Sequence, residues 1–204
     1  MHILLTDILA CPVCGPPFGL IVRSDDMRDR RVLEGALGCP NCERTYPVRG
    51  GVAMLDPEDE RMPGDTVAAG SGGDPQAAIR IAALLGLNDA SGFALVAGPA
   101  AAFAADLAEL GGTVEIIADA IHAPSGAASR LRLGARLPFY DGKLHGVWLS
   151  GESADAWLEE GARALHPLGR LVIEGSPALM VQRLAAAGLR IAAEQEGTAL
   201  ATKV

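Results

Sequence analysis

Every cysteine in this chain lies in one of two short pairs, Cys11-Pro12-Val13-Cys14 and Cys39-Pro40-Asn41-Cys42, with 24 residues between them. Each Cys-x-x-Cys pair closes a tight knuckle in which two sulfurs converge and backbone amides turn toward them. Two knuckles brought together by strand pairing make a tetrahedral thiolate cage with bonds of about 2.3 Å. Four thiolates leave no open position, so the spacing predicts a structural zinc ribbon with Cys11, Cys14, Cys39 and Cys42 as ligands and no substrate at the metal. An iron site of rubredoxin type is the competing metal. A module of roughly 55 residues has little core of its own. Bound zinc supplies the missing stability, on the order of 10 kcal/mol.

The rest of the composition narrows what can follow the ribbon. A chain of 204 residues holds a small module and one medium domain. Half of the residues are apolar but only 4% are aromatic, so the core is built from small side chains, with few rings to stack on bases. The formal net charge of −8 argues against a nucleic-acid partner. The one basic stretch, Arg28, Arg30 and Arg31, is interleaved with Asp25, Asp26 and Asp29 and reads as a solvated turn. No apolar run approaches the ~20 residues that cross a bilayer. Ile3-Leu4-Leu5 meets Asp7 without a basic flank, unlike a signal peptide. The expectation is therefore a cytoplasmic protein with no membrane role, in whose reducing surroundings clustered cysteines serve as metal ligands.

The residues around the knuckles add a resemblance. Leu4-Leu5-Thr6-Asp7-Ile8-Leu9-Ala10 before the first pair is similar to the start of the small zinc-ribbon family that activates methyltransferases. So is Glu43-Arg44-Thr45-Tyr46-Pro47-Val48 followed by Gly50-Gly51-Val52-Ala53-Met54-Leu55. The resemblance covers residues 1–56. It implies a unit that does no chemistry itself and docks on a methyltransferase through an apolar surface and an added strand. Val52, Met54 and Leu55 are the residues it nominates for docking, whether on a protein partner, on a second copy or on the chain's own second domain; plain ribbon core is the alternative for all three.

Residues 57–74 read as a linker, rich in Pro, Gly, Asp and Glu and without periodicity, with Gly70-Ser71-Gly72-Gly73 near its end. Asp74 and Pro75 then open a helix over 75–87. From residue 91 onward short apolar runs alternate with helical patterns, which predicts an α/β unit over 75–204 with a mostly parallel, Rossmann-like sheet. Strands are expected at 93–97, 114–118, within 130–137, ending at 147–150, and at 170–174. Helices are expected at 99–110, 154–165 and 177–187, and an antiparallel hairpin at 190–194 and 198–203 closes the chain.

That order resembles the class I S-adenosylmethionine-dependent methyltransferases. The likeness is carried by Leu137-Pro138-Phe139-Tyr140-Asp141-Gly142-Lys143-Leu144-His145-Gly146-Val147-Trp148-Leu149-Ser150 and by Ala162-Arg163-Ala164-Leu165-His166-Pro167-Leu168-Gly169-Arg170-Leu171-Val172-Ile173-Glu174-Gly175. The family holds its cofactor with a glycine-rich loop after the first strand and an acid near that strand's end. Here the stretch is Phe93-Ala94-Leu95-Val96-Ala97-Gly98-Pro99-Ala100-Ala101, with Leu95 near the acidic position and only Gly98 in the loop. Proline removes an amide donor and alanines add methyl groups. Leu133 and His145 stand near two further positions where the family has acids. Asp119 could still meet a ribose, or be an ordinary strand-end carboxylate. Gly98, Asp119 and Leu137 are the residues the resemblance nominates around a cofactor cleft.

Two or three lost hydrogen bonds to a charged ligand, each worth about 1.5–3 kcal/mol, weaken affinity by roughly a thousandfold or more. S-adenosylmethionine binding is therefore not expected, no catalytic residue is assigned, and His122, His145 and His166 read as scattered. Ser150-Gly151-Glu152 lacks the flanks of a nucleophile elbow. The chain reads as a zinc-binding, methyltransferase-like pseudoenzyme in protein binding or scaffolding. An active methyltransferase with its activator fused in cis is the alternative.

Overall fold

A computed structural model describes residues 1–59, 75–87, 91–175 and 177–204. Most of the expected linker, and the helix cap expected at Asp74, lie outside these residues. The ribbon contributes a 3-10 turn (Ile3–Asp7) and strands β1 (Ile21–Arg28), β2 (Arg31–Gly38), β3 (Thr45–Arg49) and β4 (Val52–Leu55). After it come α1 (Pro75–Leu85), β5 (Gly92–Ala97), α2 (Ala104–Leu110), β6 (Val114–Asp119), β7 (Ser129–Leu133) and β8 (Leu144–Ser150). The chain closes with α3 (Glu152–Ala164), β9 (Leu165–Glu174), α4 (Pro177–Ala186), β10 (Leu189–Gln195) and β11 (Thr198–Lys203). A second 3-10 turn, Gly98–Phe103, takes the first half of the helix expected over 99–110.

The strands form one sheet of 11, in the order β1-β2-β3-β4-β7-β6-β5-β8-β9-β11-β10. Strands β7 through β9 run parallel, and β11 enters antiparallel between β9 and β10. The fold is α/β with the strand order of a class I methyltransferase, extended at one edge by the ribbon. The extension is made by β4, which pairs parallel with β7 in the register Val52–Arg130, Ala53–Leu131, Met54–Arg132 and Leu55–Leu133. All four residues of β4 are buried.

Packing does not stop at the sequence boundary near residue 56. On one face of the sheet a single core joins ribbon residues Leu5, Leu9, Leu37 and Leu55 to Leu95, Leu131, Val147 and, from α3, Trp157 and Leu158. On the other face α1 and α2 bury Ile81, Leu85 and Leu107 against Val96, Ile116, Trp148 and Val172. The connections 120–128 and 134–143 contain no helix, although parallel strands are usually joined through one. Over 134–143 the ribbon supplies cover in its place. Leu9 bridges to Phe139, the Ala10 amide donates to the Pro138 carbonyl at 3.0 Å, and the Tyr140 amide donates to the Ile8 carbonyl at 2.9 Å. Arg163 of α3 holds the same connection from the far side, donating to the carbonyls of Phe139 at 2.7 Å and Leu137 at 3.0 Å.

A polar weld completes the seam. Ser129 donates to the Glu115 carboxylate at 2.6 Å and accepts from the His2 amide at 2.8 Å. Arg31 of β2 reaches the same carboxylate at 3.3 Å. Of the docking modes open to Val52, Met54 and Leu55, this strand takes the one within its own chain, and pairing of the same edge with a separate protein or a second copy is excluded while it does so. One edge of β4 pairs with β3 of the ribbon and the other with β7, and all four of its residues are buried within the chain.

Candidate metal centre and cleft

The two knuckles bring the sulfurs of Cys11, Cys14, Cys39 and Cys42 within 4.8 Å of one another. Two separations are given by Cys11 Sγ–Cys42 Sγ at 3.7 Å and Cys39 Sγ–Cys14 Sγ at 3.9 Å. Thiolates at ~2.3 Å from a tetrahedral ion stand about 3.8 Å apart, so the cage has the size of zinc. Local backbone builds it: the Gly15 amide donates to the Cys11 carbonyl at 2.7 Å and the Glu43 amide to the Cys39 carbonyl at 2.9 Å. The sulfurs have partners of their own. Asn41 Nδ2 lies 3.2 Å from Cys14 Sγ, and the Tyr46 hydroxyl lies 3.4 Å from Cys11 Sγ.

At Cys11 the local donors favour the thiolate. Burial opposes ionisation of Cys11, but the Cys14 amide, the Tyr46 hydroxyl and the Val13 amide bring its thiol down to about 7. For Cys42 the Arg44 amide favours the thiolate, yet burial and the crowding sulfurs of Cys14, Cys39 and Cys11 win and push it up to about 12. Four thiolates this close need a cation among them. The residues present fit zinc, and the closed shell gives it a structural role.

The cleft lies where β5 and β8 diverge, at the carboxyl ends of the parallel strands, the usual place for a ligand in an open α/β sheet. Its volume is about 510 Å³, and Gly98, Pro99, Asp119, His122, Ser153 and Trp157 are among its walls. Gly98 adopts φ +72°, and a Cβ there would stand 2.0 Å from the Ser150 carbonyl oxygen. Only glycine permits that approach. Ser150 then binds the loop tightly: its Oγ accepts from the Ala100 amide at 3.0 Å and donates to the Ala97 carbonyl at 3.0 Å. Ser153 Oγ in turn accepts from the Ser150 amide at 3.0 Å.

Asp119 is buried at the end of β6. Its Oδ1 accepts from the Ile121 amide at 3.2 Å, and its Oδ2 lies 3.1 Å from His122 Nδ1. Both oxygens are thus occupied within their own turn. Trp157 Nε1 donates to the Gly134 carbonyl at 3.0 Å, which fixes the indole on the cleft wall.

The structure brings two of the nominated residues, Gly98 and Asp119, to one cleft. Leu137 lies elsewhere, buried in the core that the ribbon shares, with its carbonyl on Arg163. The crowding expected from the loop also needs correcting. Ala97 and Ala101 are fully buried in the two cores, as are Leu95 and, nearly so, Leu133. Of the residues expected to obstruct the cleft, only Pro99 lines it. Nor are the histidines all scattered: His145 and His166 meet, with ring centroids 5.2 Å apart. Nothing in the sequence pattern places them together, because the contact depends on how β8 and β9 pair.

Comparison with known proteins gives the following. Residues 2–51 match the family model of the Trm112p-like proteins, so the N-terminal unit is a Trm112p-like zinc ribbon. Among solved structures, the chain is similar to the [4+2]-cyclase SpnF (18% identity, TM-score 0.48, covering 60% of this chain and 59% of that one). It is also similar to the 1,6-didemethyltoxoflavin-N1-methyltransferase of Burkholderia thailandensis (15% identity, TM-score 0.48, covering 68% and 80%). A third is a putative methyltransferase of Bacillus halodurans (16% identity, TM-score 0.43, covering 60% and 71%). The chain thus spans about three fifths of the cyclase's length. No curated protein matches. No helix among the described residues is long and apolar enough to cross a membrane.

Proposed function

We propose that this protein is a zinc-stabilised, non-catalytic member of the methyltransferase fold that works by binding, with its activator-like ribbon built in. The observation that carries this reading is the loop after β5. Pro99 has no amide proton, and the Ala100 amide is spent on Ser150, so two of the loop's positions offer no donor to a ligand's carboxylate. The Asp119 carboxylate is likewise engaged within its turn. A ligand needing these groups would have to break existing hydrogen bonds, at about 1 kcal/mol or more for each. Zinc-bound thiolates suit a reducing compartment, which supports a cytoplasmic setting. With β4 committed to β7, a protein partner would use surfaces other than that strand.

A second reading has its own support. The cleft is open, its ~510 Å³ falls within the usual span for small-molecule sites, and Gly98 and Asp119 share its wall. An S-adenosylmethionine-dependent methyltransferase with its activator ribbon fused in cis would keep those features.

Isothermal titration of the zinc-loaded chain with S-adenosylmethionine and S-adenosylhomocysteine separates the two. The binding-protein reading expects affinities no tighter than roughly millimolar. Micromolar binding of either compound would establish the second reading instead.

A further inference from the structure

The turn after β6 puts a hydrogen-bond acceptor into the cleft wall. The amides of His122 and Ala123 donate to the Asp119 carbonyl at 3.2 Å and 3.0 Å, and Ala123 is buried against the sheet. The turn so anchored lays the His122 ring against the Asp119 carboxylate, with Nδ1 3.1 Å from Oδ2. Asp119 is 2% exposed, and its other oxygen holds the Ile121 amide. An ionised carboxylate can only accept, so Nδ1 carries the hydrogen of this bond. In the neutral ring the lone pair then sits on Nε2, which has no partner among the described residues. The His122 side chain is 40% exposed and lines the cleft.

Five side chains with polar atoms line this cavity: Asp119, His122, Glu152, Ser153 and Trp157. Ser153 is spent, its hydroxyl accepting from the Ser150 amide at 3.0 Å and donating to the Ser150 carbonyl at 2.7 Å. The Trp157 N–H is spent on the Gly134 carbonyl, and Asp119 on its own turn. That leaves His122 and the exposed Glu152 carboxylate, both of them acceptors. Among the described residues that line the cleft there is no arginine or lysine. Two carboxylates without a fixed cation disfavour a phosphate or carboxylate ligand, which would lose hydration and meet like charge. The rest of the wall is glycine with Pro99, Ile121, Ala156 and the Trp157 indole. Such a surface suits a flat apolar body.

We infer that the cleft binds a neutral aromatic compound with a weakly acidic hydroxyl, a phenol, whose proton passes to His122 Nε2 while Asp119 holds the ring. The inference rests on the binding-protein reading above, because S-adenosylmethionine would need the same wall. In the step the ligand's O–H bond breaks and an Nε2–H bond forms. The bound pair is phenolate and imidazolium, and the net charge of the complex does not change. The buried Asp119 carboxylate then lies against the cation that it stabilises. A phenol arriving neutral escapes the repulsion that turns away a preformed anion. With Ser153 engaged, no free nucleophile lines the cleft among the described residues, so the site holds its ligand and does not cleave it.

The test titrates the zinc-loaded full chain with para-nitrophenol, at a pH where the free compound is protonated. Its phenolate has an absorption band of its own, and saturable binding with that band is expected. His122→Phe should weaken binding about tenfold or more and abolish the band. Asp119→Asn should abolish it too, because the ring is no longer held with its lone pair on Nε2. Unchanged zinc content and melting would show that these variants remain folded. The methyl ether, para-nitroanisole, needs no variant: it keeps the ring, lacks the proton and should bind the unaltered chain about tenfold or more weakly. No binding of para-nitrophenol, binding without the band, or equal affinity for the ether would overturn the inference and leave the binding-protein reading standing. Micromolar binding of S-adenosylmethionine would remove that reading, and the inference with it.

Discussion

In the ribbon, two four-residue segments carry the entire metal centre, whereas the cleft draws its wall from the ends of three strands and the first turns of α3. The cage is specified by spacing: a knuckle at 11–14 and another at 39–42 leave the sulfurs little choice of place. The cleft is specified by what the loops do after the strands end, and there Ser150 captures the loop that follows β5. A site closed by local geometry keeps its chemistry when its surroundings change. A site assembled from distant loops can keep its shape and lose its donors.

The sharpest way to break this contrast is to remove the metal. Chelation, or Cys39→Ser, removes on the order of 10 kcal/mol from the ribbon, comparable to the whole stability of an ordinary domain. Because β4 and Leu9 belong to the core shared with the α/β unit, that unit should lose its cooperative melting too. Calorimetric scans with and without chelator would show it. An α/β transition at its former temperature would mean that the regions are independent.

A smaller effect sharpens the same point. Phe139→Ala should cost about 3–5 kcal/mol and also hasten zinc release to a chromogenic chelator, since Phe139 packs under the ribbon. Leu107→Ala, on the other face, should cost about 2–5 kcal/mol and leave zinc release unchanged. Equal release rates would detach the seam from the cage.

Arg163→Ala should cost about 2–3 kcal/mol in denaturant titration, because two backbone carbonyls lose a charged donor. Arg163→Lys should recover only part of it, since a single ammonium cannot span both oxygens. The smallest effect is expected at Arg183, paired with Glu159 at 2.9 Å and Asp155 at 2.9 Å on the surface. Arg183→Ala should cost less than about 1 kcal/mol. The Arg183 guanidinium holds the Glu159 carboxyl below its usual range. Its contribution is therefore complete above the ordinary carboxyl value near pH 4 and fades as the pH falls below it. Melting curves of both proteins should converge in acid; a gap that widens there would contradict this.

Much of this was legible beforehand, and the reasons are local. The knuckles announced the cage, and alternating apolar runs announced β5, β6, β8 and β9. The helix expected from Pro99 was legible only in its second half, Ala104–Leu110. Its first half is a 3-10 turn without a side-chain cap. What stayed hidden depends on contacts between distant segments. The parallel partnership of Val52 with Arg130 leaves no mark on either strand. The connection 134–143 gave no sign that the ribbon would take the place of a helix there. Ala97 and Ala101 could be read as obstructing the cleft because sequence does not say which way a methyl points. His145 and His166 looked unrelated because their meeting depends on a slip in strand pairing.

The parallel seam also bears on how the chain is made. A ribosome delivers the ribbon first, and residues 11–42 can close around zinc as soon as they emerge. Strand β4 cannot: Val52 must wait until Arg130 has been synthesised, with its backbone edge unpaired in the meantime. Such an edge invites mispairing with other nascent chains, and closing so long a loop is slow. Maturation is thus a two-stage affair, early capture of the ion and late joining of the sheet.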